Sequence, residues 1–342
     1  MAGTSQTKKH RIQQLQKALL TLIILLLLFI ALKDSLPDIW QQLKKTSPAI
    51  LTHILLASVF YHCSEGLITA FIARKHLPEF SLKTGIQCAF YCSFYRVATF
   101  GSGAGAAGTY FLHKNGINIA QAAGMYMMQY IFHKISIALY AVLMLVCNFS
   151  FMYHTYYQYS SFLAIGIGIT LLIVVFLFAL CFCAPLHSLI YRLCCWLCRK
   201  GIKKIDPENI REQLALLRNT STLLINDKKL LSQLIIINFI KLSFWYSIPF
   251  LILHKQNLLS LTASLSITSL MTALAGVIPT PAGIGSTEFV YLLLYGPVTG
   301  TAAAASSMLL YRFATYLFPV LPGGIIILIR KQNDKKGKDV LT

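Results

Sequence analysis

Six charged side chains sit inside otherwise apolar stretches: Glu65, Arg96, Lys134, Lys241, Glu288 and Arg312. On insertion scales each costs about 2.5–3.5 kcal/mol at the centre of a bilayer, so such residues face a protein interior or a wet cavity. Four of the six are cations. Cations gathered on one site hold phosphate through charge-assisted hydrogen bonds. The carboxylates have other uses: Glu288 can pair with a cation, receive an amine or carry a coupling proton. A private buried ion pair is the competing reading for each charge, and for Lys241 it stands level with a binding role. His53, His62 and His133 also lie on apolar stretches; they read as interior histidines, with a proton relay as the alternative.

These charges keep company with broken backbone. Residues 276–289, GVIPTPAGIGSTEF, place two prolines and three glycines just before Glu288. An earlier segment, ATFGSGAGAAGTYF at 98–111, is also glycine-rich. Irregular backbone at membrane depth is tolerated where it is buried in protein or lines a cavity. Half-helix ends expose free N–H groups suited to anions, and glycine lets a ligand come close. Gly103, Gly105, Gly283, Gly285 and Thr287 are therefore candidate binding residues beside the six charges. Pro281 suits the first turn of a half-helix running from about Ala282 through Tyr295. The competing reading is a tight helix-packing surface, which small residues also make.

The elements that must position these residues are membrane helices. The chain is 56% hydrophobic and only 12% charged, about half the charged share of a soluble domain. Its net charge of +19 sits between the apolar runs, which fits loops facing anionic lipid better than nucleic acid. Six full spans are expected at 18–36, 49–73, 118–147, 161–184, 230–254 and 300–329. The segments 84–115 and 258–296 are expected to enter and leave on one side as re-entrant helical hairpins; two full crossings each would satisfy the charges equally. The basic N-terminus (1–17), the basic loop 185–229 and the tail 330–342 are expected on the cytoplasmic side of an inner membrane. Five of the nine cysteines lie in CFC and CCWLC at 181–198. They read as small apolar filler or acylation sites rather than a metal set, and no cofactor or metal is expected.

Shifting the chain by 178 residues lays 98–111 on 276–289, Gly105 on Gly283, Thr109 on Thr287 and Lys134 on Arg312. Two copies, about 49–147 and 227–325, would then be inverted in the membrane, as in many secondary transporters. The expected fold is an all-α polytopic membrane domain over 18–329.

PTPAGIGSTE resembles the P-x-P-G-G-x-G-x-x-E signature of the lysylphosphatidylglycerol synthase transmembrane-region family, which is flippase-like. The segment ATFGSGAGAAGTYFLHKNG resembles that family's first Gly-rich segment, with a basic residue, here Lys134, on the next helix. The resemblance runs over about 15–329. Ala282 replaces the first of the paired glycines, and the first segment lacks the family's proline and Gly-Glu-x-x-Arg element. The resemblance implies a translocator of aminoacylated phosphatidylglycerol or another phosphate-bearing, lipid-linked headgroup, acting without the aminoacyl transferase domain that larger members carry. Its partners would be a membrane phospholipid or lipid-linked substrate, with anionic lipid at the basic loops and a homo-oligomer left open. The alternative is a membrane-embedded enzyme or accessory subunit in lipid-linked glycan or aminoacyl-lipid synthesis, with Glu65 and Glu288 as its only acid/base candidates. No soluble catalytic domain or recognised catalytic motif is present, so the chain is expected not to be an enzyme.

Overall fold

The computed structural model describes residues 36–200, 206–254, 258–278, 280 and 283–339. The expected first span at 18–36 falls almost wholly outside them, as do Pro279, Pro281 and Ala282. All regular structure among the described residues is helical: α1 (Leu36–Lys45), α2 (Pro48–Ala73), α3 (Leu82–Ala98), α4 (Ala104–Lys114), α5 (Ile119–Cys147), α6 (Phe149–Tyr156), α7 (Ser160–Phe182), α8 (Ala184–Arg199), α9 (Pro207–Asn226), α10 (Lys228–Tyr246), α11 (Ile248–Leu253), α12 (Leu261–Ala275), α13 (Ser286–Thr299), α14 (Thr301–Arg312) and α15 (Val320–Asp339).

Local sequence sets the helix starts. Ser47 precedes Pro48 and accepts from the Ile50 N–H, Ser81 accepts from Thr84 N–H, and Ser260 accepts from Ala263 N–H. Asn118, Asp206 and Asp227 cap α5, α9 and α10 in the same way. Each cap satisfies a backbone donor that the first helical turn leaves free.

Among the described residues five helical stretches are long and apolar enough to cross a membrane: Pro48–Ala73, Ile119–Cys147, Leu163–Phe182, Lys228–Leu253 and Thr301–Gln332. They match the five expected spans that lie within the described residues. Leu172, Val175 and Phe176 on α7 are exposed, as they must be if the solvent around them is lipid. The protein is an all-α polytopic membrane protein.

Between the spans lie two helical hairpins, α3–α4 and α12–α13. Their limbs hold 17, 11, 15 and 14 residues. At 1.5 Å per residue such limbs reach roughly 16–26 Å, less than the ~30 Å hydrocarbon core. The element order span, hairpin, span runs twice, over α2–α5 and over α10–α15.

The two copies hold each other reciprocally. The closing helix of the first, α5, packs on the hairpin limb α12 of the second, and the closing helix α15 packs on the hairpin limb α3 of the first. The opening helices α2 and α10 pack together. At their ends Lys75 pairs with Asp227, whose carboxyl this lysine holds below its ordinary value.

Small residues permit the closest approach. Gly66 of α2 lies against the backbone of Gly85 and Ile86 on α3, leaving no room for a methyl group. Gly66→Ala is expected to cost about 1–3 kcal/mol through forced backbone shifts, read as a lower thermal midpoint in detergent. An unchanged midpoint would show that α2 and α3 part freely there.

The connector at 185–229, whose early part LHSLIYRLCCWLCRK has the pattern of an interfacial amphipathic helix, is helical in its described residues. It folds into α8 and α9. Pro185 and Pro207 stand at helix starts, and Leu217 and Ser221 are buried, with the Ser221 hydroxyl on Met128 of α5. A periodic apolar face inside a basic stretch is enough to dock a helix.

Candidate functional site: a cationic cavity between the two repeats

Both hairpin turns are made from backbone conformations that favour glycine, but they close differently. At the end of α3 the N–H of Gly101 donates to Arg96 carbonyl at 2.7 Å and that of Phe100 to Val97 carbonyl at 3.3 Å. This is a Schellman closure, in which Phe100, at φ 50°, occupies the left-handed position that glycine usually takes. The next two donors, the N–H groups of Ser102 and Gly103, go to the Thr99 carbonyl at 3.3 Å and to Thr99 Oγ1 at 2.6 Å.

In the second turn Gly283 and Gly285 have φ of 69° and 86°. Helix α13 starts at Ser286, four residues later than the half-helix expected from Ala282. Glu288 explains the late start: its Oε2 accepts from the Gly285 N–H at 2.7 Å, closing the first turn.

The same carboxylate has a second partner. Glu288 Oε1 receives the Nε of Arg312 at 2.5 Å, and Arg312 Nη2 donates to the Gly283 carbonyl at 2.9 Å. Arg312 thus ties α14 to the broken turn. It ends α14, and the chain then makes a single π-helical turn at Phe313–Leu317. Arg96 likewise lies in the last turn of α3. Both cations sit where the helix dipole favours positive charge.

Beside these elements lies a cavity of about 420 Å³, lined by residues from both repeats. Arg96, His133 and Lys134 come from the first; Trp245, Gly283, Thr287, Tyr311, Arg312, Thr315 and Tyr316 come from the second. Lys134 Nζ lies 5.6 Å from the Tyr130 ring centroid and close to Gly276. Among the described residues no carboxylate lies within ion-pair distance of Lys134 or Arg96. His133 Nδ1 and the Tyr316 hydroxyl are buried in this wall and have no hydrogen-bond partner in the protein. Buried polar atoms in native proteins are nearly always paired, and two cations without a carboxylate beside two such orphans give this wall the chemistry to hold a polar, anionic guest.

Glu65 and Lys241 form a separate unit. Lys241 Nζ meets Glu65 Oε2 at 2.5 Å; the lysine side chain is 0% exposed and the glutamate 19%. Gln129 Nε2 donates to the other carboxylate oxygen at 2.7 Å, and Thr69 donates to Gln129 Oε1 at 3.2 Å. The Tyr61 ring lies 5.5 Å from Lys241 Nζ. Neither member lines the cavity, although Glu65 neighbours both Arg96 and His133.

Of the eleven expected binding residues, the structure brings Arg96, Lys134, Gly283, Thr287 and Arg312 to one wall. Glu288 stands behind that wall as the partner of Arg312. Glu65 and Lys241 pair privately. Gly103, Gly105 and Gly285 lie off it: the N–H groups of Gly103 and Gly285 are spent on Thr99 and Glu288, so they are not free anion donors. The guest would instead meet side-chain cations.

Trp245, Tyr311, Thr315 and Tyr316 were not singled out in the sequence. Trp245 Nε1 donates to the Tyr311 hydroxyl at 2.6 Å, and Thr315 and Tyr316 reach the wall from the π turn. The one available signal was the aromatic run beside Arg312, which at helical spacing reads equally as core. Among the described residues no group of three His, Cys, Asp or Glu side chains is placed to hold a metal ion, and no disulfide joins the cysteines.

The family model described as Lysylphosphatidylglycerol synthase TM region matches residues 17–323. No curated protein matches the chain.

Proposed function

Because the chain belongs to the Lysylphosphatidylglycerol synthase TM region family, we propose that it moves a phosphate-bearing lipid headgroup between the leaflets of an inner membrane. The observation that carries this reading is the cavity between the repeats, where among the described residues Lys134 and Arg96 lack a carboxylate and His133 and Tyr316 lack a hydrogen-bond partner. A volume of about 420 Å³ falls in the range of small-molecule sites and suits a headgroup whose acyl chains stay in lipid. Reciprocal packing of the two copies supports a rocking exchange of access around a fixed site. An amine on the headgroup would reach Glu288 only by displacing Arg312 or the Gly285 N–H, which hold its two oxygens.

The enzymatic alternative needs a carboxylate pair facing a substrate. Glu65 and Glu288 are both engaged by cations and both stand off the cavity wall, which favours translocation. Cytoplasmic termini follow from the basic ends of the chain.

Reconstitution into vesicles with fluorescent phosphatidylglycerol tests the reading. Leaflet exchange is expected with the native chain and is expected to fall at least tenfold in Arg312→Ala and in Glu288→Gln, which each undo the tie between α14 and the broken turn. Exchange that is equally fast in both variants would remove the site, and a covalently altered lipid formed without exchange would favour the enzyme.

A further inference from the structure

The connector between the repeats holds a second cationic groove that shares no residue with the central cavity. Helices α8 and α9 pack side by side, and between them lies a cavity of about 560 Å³ lined by His187, Ser188, Tyr191 and Arg192 of α8 and by Arg211 and Arg218 of α9, among others. Residues 187, 188, 191 and 192 fall on one face of α8; residues 211 and 218, two turns apart, fall on one face of α9.

The three arginines are exposed and weakly compensated. Arg192 and Arg218 have no carboxylate within ion-pair distance among the described residues. Arg211 has only a 3.7 Å contact with the exposed Glu208, and its guanidinium lies 5.7 Å from the Tyr191 ring centroid. Glu208 is also held by the Tyr191 hydroxyl at 2.8 Å. The groove stands on a fixed base: Leu217 and Ser221 bury α9 against the body, and His187 Nε2 meets the Leu180 carbonyl at 2.7 Å where α8 leaves α7. Guanidinium forks match the planar oxygens of phosphate.

The outer face of α8 identifies the source of that phosphate. Leu189, Leu193 and Trp196 form a stripe at helical spacing and are 63%, 54% and 49% exposed. Lys200 Nζ lies 4.2 Å from the Trp196 ring centroid. An apolar stripe with tryptophan and lysine at its end, flanked on the same helix by Arg192 and Arg199, is the pattern of a helix lying in the membrane interface. One helix then presents its apolar stripe to the acyl region while its neighbouring face lines a basic groove of headgroup size.

We propose that the α8–α9 groove binds the phosphodiester of an acidic membrane lipid, holding it through Arg192, Arg211 and Arg218 while its chains run beside Leu189, Leu193 and Trp196. This site is independent of the translocation reading: it would anchor the connector between the repeats to the acidic leaflet whatever passes through the central cavity.

The test uses the full chain in phosphatidylcholine nanodiscs carrying increasing phosphatidylglycerol with brominated acyl chains. Trp196 emission is isolated by subtracting the Trp196→Phe protein. Half-maximal quenching is expected at a low phosphatidylglycerol fraction. It is expected to move about fivefold higher in Arg218→Gln and about 25-fold higher in Arg192→Gln/Arg218→Gln, following the usual gain per basic residue at an acidic surface. Both positions are exposed, and an unchanged thermal midpoint checks that the variants fold. Identical quenching curves for native and double-variant proteins would overturn the proposal. Displacement of the lipid by millimolar inorganic phosphate would overturn the lipid assignment in favour of a soluble anion.

Discussion

Glu65→Ala is expected to lower the stability of the protein by about 3–5 kcal/mol, the usual cost of stripping one partner from a buried ion pair. The magnitude follows from burial: Lys241 is wholly inaccessible and its ammonium is held by Glu65. Without the carboxylate, the Lys241 amine is left unpaired in a closed site and Gln129 loses its acceptor. The effect belongs to the unpaired charge rather than to the pair's net strength, since replacing both partners by apolar groups is often neutral. Glu65→Leu/Lys241→Met is therefore expected to regain most of the loss. Denaturation in detergent reads both numbers. A double variant no more stable than Glu65→Ala would show that the two residues are not energetically coupled.

Lys134→Gln is expected to do the opposite: little change in stability and a fall of about 10–100-fold in lipid exchange. Lys134 makes no ion pair among the described residues that its loss could break, and removing its charge removes a desolvation cost. A hydrogen bond to a charged group contributes roughly 1.5–3 kcal/mol, so a headgroup phosphate that uses Lys134 would lose one to two decades of rate without it. Exchange and thermal midpoint measured on the same preparation separate the two effects. A variant that melts earlier yet exchanges at the native rate would make Lys134 a structural cation and leave the cavity without its main anion contact.

The contrast between these two lysines shows what could be read in the sequence. Both stand alone in apolar runs, and composition marks both as costly. Their fates diverge because Lys241 meets a carboxylate 176 residues away, a distance over which no spacing rule acts. Once the 178-residue shift is applied, Lys241 falls at position 63, two residues from Glu65, so the opening helices of the two copies bring the pair together. The spans, the hairpins and the duplicated cation at Lys134 and Arg312 were legible because periodicity, glycine and charge each leave a local mark. The π turn after Arg312, and the aromatic groups it delivers, were not: their residues are ordinary helix formers until packing forces one extra residue into the turn. The connector's first helix was legible in the amphipathic run LHSLIYRLCCWLCRK; its second, α9, was not, since a basic stretch with a thin apolar face resembles a loop until something offers that face a partner.

The buried pair also has a history within each round of synthesis. Glu65 is made 176 residues before Lys241, which at about 5–20 residues per second leaves it without its counter-charge for roughly 9–35 s. Gln129 follows Glu65 by 64 residues, or roughly 3–13 s at the same pace. A nascent α2 therefore enters the bilayer carrying a lone carboxylate, gains an amide donor first and an ammonium much later. The ribosome's schedule makes Gln129 the interim custodian of that charge, and the first copy of the repeat waits, unfinished, for the second to arrive.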